Sequence, residues 1–116
     1  MDSPYNLNGS GYLIGEWDGG GIRLTHQEFD GRVSQMDAPA ATSSHSTHVA
    51  GTMIAQGQTA SAHGMANAAN LNAYDWDNDI TEMTSAAASG LTLSNQSYVM
   101  EQRLDNLRWT NLLLVW

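Results

Sequence analysis

The amino-acid sequence predicts an α/β protein with a parallel sheet and helical crossovers. Three observations carry this. Short, mostly apolar runs lie between clusters of turn-forming residues, at a length that suits buried strands. Two intervening stretches carry helix caps and helical spacing. The two kinds alternate as strand, helix, strand, helix, strand, an order that favours parallel pairing through crossover helices.

The first strand is expected at Tyr12-Leu13-Ile14-Gly15-Glu16-Trp17, between two glycine clusters. It is too short for a helix, which needs about ten or more periodic residues. Asp18-Gly19-Gly20-Gly21 breaks it sharply. From Ile22 to Pro39 no period is sustained, and the stretch reads as loop with short pieces of structure. Ser43 or Ser44 can cap a helix running through His45, Val49, Met53 and Ile54, which Gly57 stops. Ala68 to Trp76 alternates around Leu71, Ala73 and Tyr74 as a second strand. Asp79-Ile80-Thr81-Glu82 has the spacing of a capping box with Asp79 as the cap, opening an Ala-rich helix that Gly90 closes. Leu91 to Tyr98 follows as a third strand. Between Met100 and Trp116, the residues Leu104, Leu107 and Leu112 to Leu114 suggest one helical face, weakened by Asn106 and Asn111. The 116 residues make one domain by length, without internal repeat or low-complexity linker.

Charge narrows the partners. Four basic against twelve acidic side chains leave a net charge of −8. Phosphate binding needs clustered cations, and Arg23, Arg32, Arg103 and Arg108 are scattered, with no lysine. Neither nucleic acid nor an anionic membrane is expected as a partner. The absence of cysteine excludes disulfides and thiolate zinc sites. No apolar run approaches the roughly 20 residues of a membrane span. Met1-Asp2-Ser3-Pro4-Tyr5 has neither a basic start nor an apolar stretch, so no signal peptide is expected within the chain.

The most specific stretch is His45-Ser46-Thr47-His48-Val49-Ala50-Gly51-Thr52. It resembles the His-Gly-Thr-His-Val-Ala-Gly-Thr signature of the subtilisin-like serine peptidase family, with Ser46 in place of Gly. Ile14 to Ile22 resembles that family's Asp segment, in which a hydrophobic strand ends at Asp-(Ser/Thr)-Gly; Gly19 replaces the hydroxyl residue. Thr25-His26-Gln27-Glu28-Phe29 is similar to its His-Pro-Asp/Glu-Leu segment. Gly64-Met65-Ala66-Asn67-Ala68-Ala69-Asn70-Leu71 is similar to its Gly-Val-Ala-Pro-x-Ala-x-Leu segment, with Asn67 for Pro. The landmarks follow the family's order over roughly residues 10–98, and residues 99–116 stay unassigned.

The resemblance implies the N-terminal part of a catalytic domain, a partial three-layer α/β/α doubly wound sheet. It places the orienting carboxylate on Asp18 and the general base on His45. An Asp accepting from one ring nitrogen fixes the tautomer and leaves the other nitrogen free to take a proton from a serine. Leu93 to Tyr98 resembles the strand beside which the family lays its peptide substrate, which gives Ser97 a substrate-binding role; Val99 stands where Gly is usual. The family's Ser lies in a Gly-Thr-Ser segment beyond the His, and no such segment occurs here, nor a match to its oxyanion Asn. The expectation is a piece of a serine endopeptidase acting on peptide or protein substrates, secreted or on the cell surface in a bacterial parent, and inactive by itself. No cofactor is required. Calcium is common in the family and Glu28 stands where a carboxylate often binds it, but the other ligands have no match, so metal binding stays open. If the resemblance holds, a carboxylate oxygen of Asp18 comes within about 2.6–3.2 Å of a His45 ring nitrogen.

Two other readings remain at this point. One is a non-enzymatic remnant kept for binding or assembly. The other is a metal-dependent hydrolase using His26, His45, His48 or His63, although His45 and His48 lack the spacing and the intervening Glu of a zinc protease helix. Three further motifs fail. Asp75-Trp76-Asp77-Asn78-Asp79 begins like a calcium loop, but Ile80 replaces the required Gly and Ala86 the final Glu. Gly9-Ser10-Gly11 precedes a strand where a dinucleotide fingerprint follows one, and no Gly-x-Ser-x-Gly elbow exists.

Overall fold

A computed structural model describes residues 5–98 in full and the backbone of residues 102–104 and 107–109. The elements in chain order are β1 (Leu13–Asp18), β2 (Val33–Gln35), α1 (Ser44–Ile54), a 3₁₀ turn (Ala60–Ala62), β3 (Asn70–Asp75), α2 (Asp79–Ala88) and β4 (Ser94–Gln96). β1 to β4 form one parallel sheet in the order β2-β3-β1-β4. The chain steps from β1 to β3 on one side, then returns through α2 to β4 on the other. β1 is therefore the strand at which the winding reverses, the place where open α/β sheets collect functional groups at their carboxyl ends. Asp18 is its last residue.

Right-handed crossovers running in opposite directions put α1 and α2 on opposite faces, and the side chains agree. Ile14, Val33, Leu71 and Ala73 point to the α1 side and pack with Ala50, Ile54 and Phe29. The alternate residues point to α2. Trp17 is fully buried and stacks on Tyr74 at 4.3 Å, while its Nε1 donates to Glu82 Oε2 at 3.2 Å. Gln96 Nε2 donates to Met83 Sδ at 3.4 Å. The period of two along each strand thus sorts one set of residues onto each helix. The expected α/β class, a parallel sheet between helices, holds. Among the described residues no helix is long and apolar enough to cross a membrane.

α1 begins as expected, with Ser43 in extended backbone and its Oγ accepting from Ser46 N at 3.3 Å. It ends at Ile54, before Gly57. The reason is that its last carbonyls have partners elsewhere: Met65 N, Ala66 N and Gly64 N donate to the carbonyls of Thr52, Met53 and Ala55. Arg32 adds a bond to the Ile54 carbonyl at 2.6 Å and another to that of Ala69 at 2.8 Å.

The stretch from Ile22 to Pro39, expected as loop with short pieces of structure, contains one such piece, β2, only three residues long and therefore without a detectable period. Three expectations are corrected. α2 is capped by Asn78 in the left-handed region (φ 62), not by Asp79. The Asp79 carboxylate instead accepts from Tyr98 Oη at 2.6 Å and Ile80 N at 2.7 Å, and Glu82 turns to Trp17, so neither is free for a capping box. β4 covers only Ser94–Gln96 of the expected Leu91 to Tyr98. Of the helix suggested after Met100, the described parts are two strands: β5 (Gln102–Leu104) and β6 (Leu107–Trp109) pair antiparallel, with Leu104 opposite Leu107. Asp105 and Asn106, which separate them in sequence, favour turns over helix interiors. The rest of that segment lies outside the described residues.

Candidate active site

The carboxyl end of β1 brings two of the predicted site residues together. Asp18 is 3% exposed, and its Oδ1 accepts from Gly19 N at 2.7 Å. His45, in the first turn of α1, sets its Nδ1 at 3.0 Å from the same oxygen. A carboxylate can only accept, so the proton of this bond sits on Nδ1, and in the neutral ring Nε2 then keeps a lone pair. The His45 ring is 60% exposed, which leaves that nitrogen accessible to a reacting group.

The contact depends on a turn that is fixed from three sides. Gly20 has φ +92, a conformation that glycine takes without steric penalty. Ser46 is 1% exposed, and its Oγ donates to the carbonyls of Gly19 at 3.1 Å and Gly20 at 3.2 Å. Gly20 N in turn donates to Asp75 Oδ1 at 3.0 Å, at the end of neighbouring β3. Asp75 is held by its own backbone N–H, which donates to Asp37 Oδ2 at 2.6 Å. Gly21 and Ser43 complete the link: Ser43 N donates to Gly21 O at 2.8 Å, just before the helix begins. The strand end that carries Asp18 and the helix start that carries His45 are thereby one hydrogen-bonded unit.

Two of the departures from the subtilisin-like pattern, Ser46 and Gly19, have local explanations. Ser46 supplies hydrogen bonds that glycine would lack. At Gly19, a Cβ would meet ring carbons of Trp76 at 2.9 Å, so the missing side chain makes room for the indole.

Glu16 belongs to the same surroundings. It points to the α1 face two residues before Asp18, is 1% exposed, and neither of its carboxyl oxygens has a partner. Burial, and secondly the charge of Asp18, push its pKa up to about 9. Asp18 Oδ2 is also buried without a partner.

The remaining predicted residues lie elsewhere. Ser97 follows β4, and its Oγ accepts from Asn95 Nδ2 at 2.9 Å, without a bond to Asp18 or His45. Glu28 does not stand open: its oxygens accept from Gly57 N at 2.8 Å, Gln58 N at 3.0 Å and Thr59 N at 3.2 Å. His26, His48 and His63 line a cleft of about 880 Å³ beside α1, to which neither Asp18 nor His45 contributes. Among the described residues no three His, Asp or Glu side chains converge as metal ligands.

Sequence reasoning missed the parts played by Ser46, Asp75 and Glu16. For Glu16 a signal was present: a carboxyl inside a run otherwise read as a buried strand. For Ser46 it was the single change within an eight-residue signature. Asp75 gave none, because its role depends on strand order.

The family model described as Peptidase_S8, Subtilase family, matches residues 23–102. That span contains His45 and Ser97 and begins after Asp18. No curated protein matches the chain.

Proposed function

The chain belongs to the subtilase family, and on that premise we propose that it is the Asp–His part of a serine endopeptidase. Asp18 orients and His45 is the general base. As a serine oxygen attacks the carbonyl carbon of a peptide bond, its proton passes to His45 Nε2 and later to the leaving amine. Asp18 holds the Nδ1–H tautomer and stabilises the imidazolium formed between those steps. The substrate lies extended beside β4, pairing its backbone near Ser97 as an added strand. The scheme needs no cofactor. The parent protein is secreted or on the surface of a bacterial cell.

The observation that carries this reading is the 3.0 Å contact between Asp18 and His45, made across 27 residues at the strand where the winding reverses. No Gly-Thr-Ser stretch stands in the sequence, so the serine of this scheme comes from outside these residues, and the chain alone does not turn over peptides. The test has two arms. The purified chain is incubated with a denatured protein, beside His45→Ala; sustained cleavage that His45→Ala abolishes would overturn the incomplete-triad reading. The gene is also read downstream: an in-frame Gly-Thr-Ser segment supports a peptidase, and its absence a remnant.

A further inference from the structure

Glu16 has no part in the chemistry just described, yet it is buried two residues before Asp18 on the same strand. Residues i and i+2 of a strand share a face and stand about 6.5–7 Å apart. Glu and Asp side chains together span that distance. Glu16 and Asp18 are such a pair, and among the described residues the three buried side-chain oxygens without partners belong to them: both of Glu16 and Oδ2 of Asp18. Two ionised carboxylates this close in low dielectric are strongly disfavoured, and a single shared proton removes the conflict.

We propose that Glu16 is a positioning residue for the Asp18–His45 pair, its protonated carboxyl donating a hydrogen bond to Oδ2 of Asp18. This rests on the peptidase reading above for its functional meaning, but not for its geometry. The direction of donation follows from the neighbours. Asp18 Oδ1 already accepts from Gly19 and faces His45, so Asp18 is the member kept charged. Glu16 has no cation and no backbone donor to hold a negative charge. Its register partners are Ala73 on β3 and Asn95 on β4, neither of them charged, and Asp18 is the charged group that acts on it. Burial and that charge keep the Glu16 proton in place at neutral pH.

Two consequences follow for the pair. A carboxylate held at both oxygens cannot rotate, so Oδ1 stays aimed at His45 Nδ1. A donor on Oδ2 also draws charge away from Oδ1 and moderates the bond to the imidazole. Glu16 acts through Asp18 and touches no substrate.

The test uses the full chain, by infrared and NMR spectroscopy. At pH 7 the wild type should show the carbonyl stretch of a buried protonated carboxylic acid, lost in Glu16→Gln and displaced in Asp18→Asn. The Nδ1–H resonance of His45 should move downfield in Glu16→Val, where Asp18 loses its donor, and return towards the wild-type position in Glu16→Gln, whose amide can donate. Absence of the acid band, or a His45 resonance that is the same in Glu16→Val and wild type, would overturn the proposal. Its failure is separable from failure of the peptidase reading. If Asp18→Asn leaves the His45 resonance in place, the pair itself is wrong; if only Glu16→Val does, the pair stands and Glu16 has no role in it.

Discussion

Ser46 Oγ donates to the carbonyl oxygen of Gly19 at 3.1 Å, joining the first turn of α1 to the turn that ends β1. The bond matters because Asp18 and His45 sit on the two segments it joins, each one residue from a bonded partner. In Ser46→Ala the carbonyls of Gly19 and Gly20 lose this donor inside the protein. The expected cost is about 1–3 kcal/mol, the range for a buried polar group left without its partner. Urea unfolding should give a lower midpoint with an unchanged slope. An unchanged midpoint would mean that water replaces the hydroxyl at no cost.

This bond also marks how far the sequence could be read. The order of strands and helices was legible because apolar runs and caps are local signals, and Asp18 and His45 were legible through stretches that resemble a family. The side-chain environment of the pair was not. Ser46 reaches Gly19 across 27 residues, and Asp75 reaches Gly20 across 55, and neither pairing has a local trace. The capping box at Asp79 failed for the same reason: Tyr98 and Trp17, distant in sequence, claim the two carboxylates that the local rule had assigned. β2 was invisible because three residues cannot display a period, and only β3 beside it makes it a strand.

Glu28 should give the fold a component of acid sensitivity. Burial pushes its carboxyl up, but hydrogen bonds from Gln58, Gly57 and Thr59, with the nearby His26, outweigh this and leave its pKa below the ordinary 4.5. A folded-state value below the unfolded one stabilises the protein above about pH 4.5, and that contribution disappears as pH falls through the lower value. Acid titrations of wild type and Glu28→Gln should therefore converge at low pH, with the wild type more stable at neutrality. Parallel curves would show that the Glu28 charge adds nothing to the three backbone bonds.

Glu16 should act in the opposite direction. Its carboxyl holds a proton in the folded state up to about pH 9, whereas the unfolded chain releases it near 4.5. The unfolded state then binds fewer protons between these values, so stability falls as pH rises through that window. At about 1.4 kcal/mol per pH unit the loss is of order 3 kcal/mol by pH 7. Glu16→Gln, which cannot ionise, should be more stable than wild type at pH 8 and differ little at pH 4. Denaturation midpoints across pH 4 to 9 measure this. A wild-type profile as flat as that of the variant would place the folded carboxyl in its ordinary range.

Gly64 should be the least replaceable position away from the site. A Cβ there would stand 2.6 Å from the backbone nitrogens of Ile54 and Ala55 and from the carbonyl carbon of Met53. These are backbone atoms at the end of α1, so no side-chain rotation can relieve the clash. The approach is close because Gly64 N, Met65 N and Ala66 N must reach the carbonyls of Ala55, Thr52 and Met53, which would otherwise end the helix unpaired. Gly64→Ala has to push the two segments apart and stretch those bonds, at a cost of about 1–3 kcal/mol from overpacking. His45 lies in the first turn, nearly the whole of the eleven-residue helix away from the damage. The variant should therefore unfold at lower urea while the His45 Nδ1–H resonance keeps its wild-type position. A resonance that moves with the stability loss would mean that α1 shifts as a rigid rod, and that the far end of the helix sets the Asp18–His45 distance as much as the turn around Gly20 does.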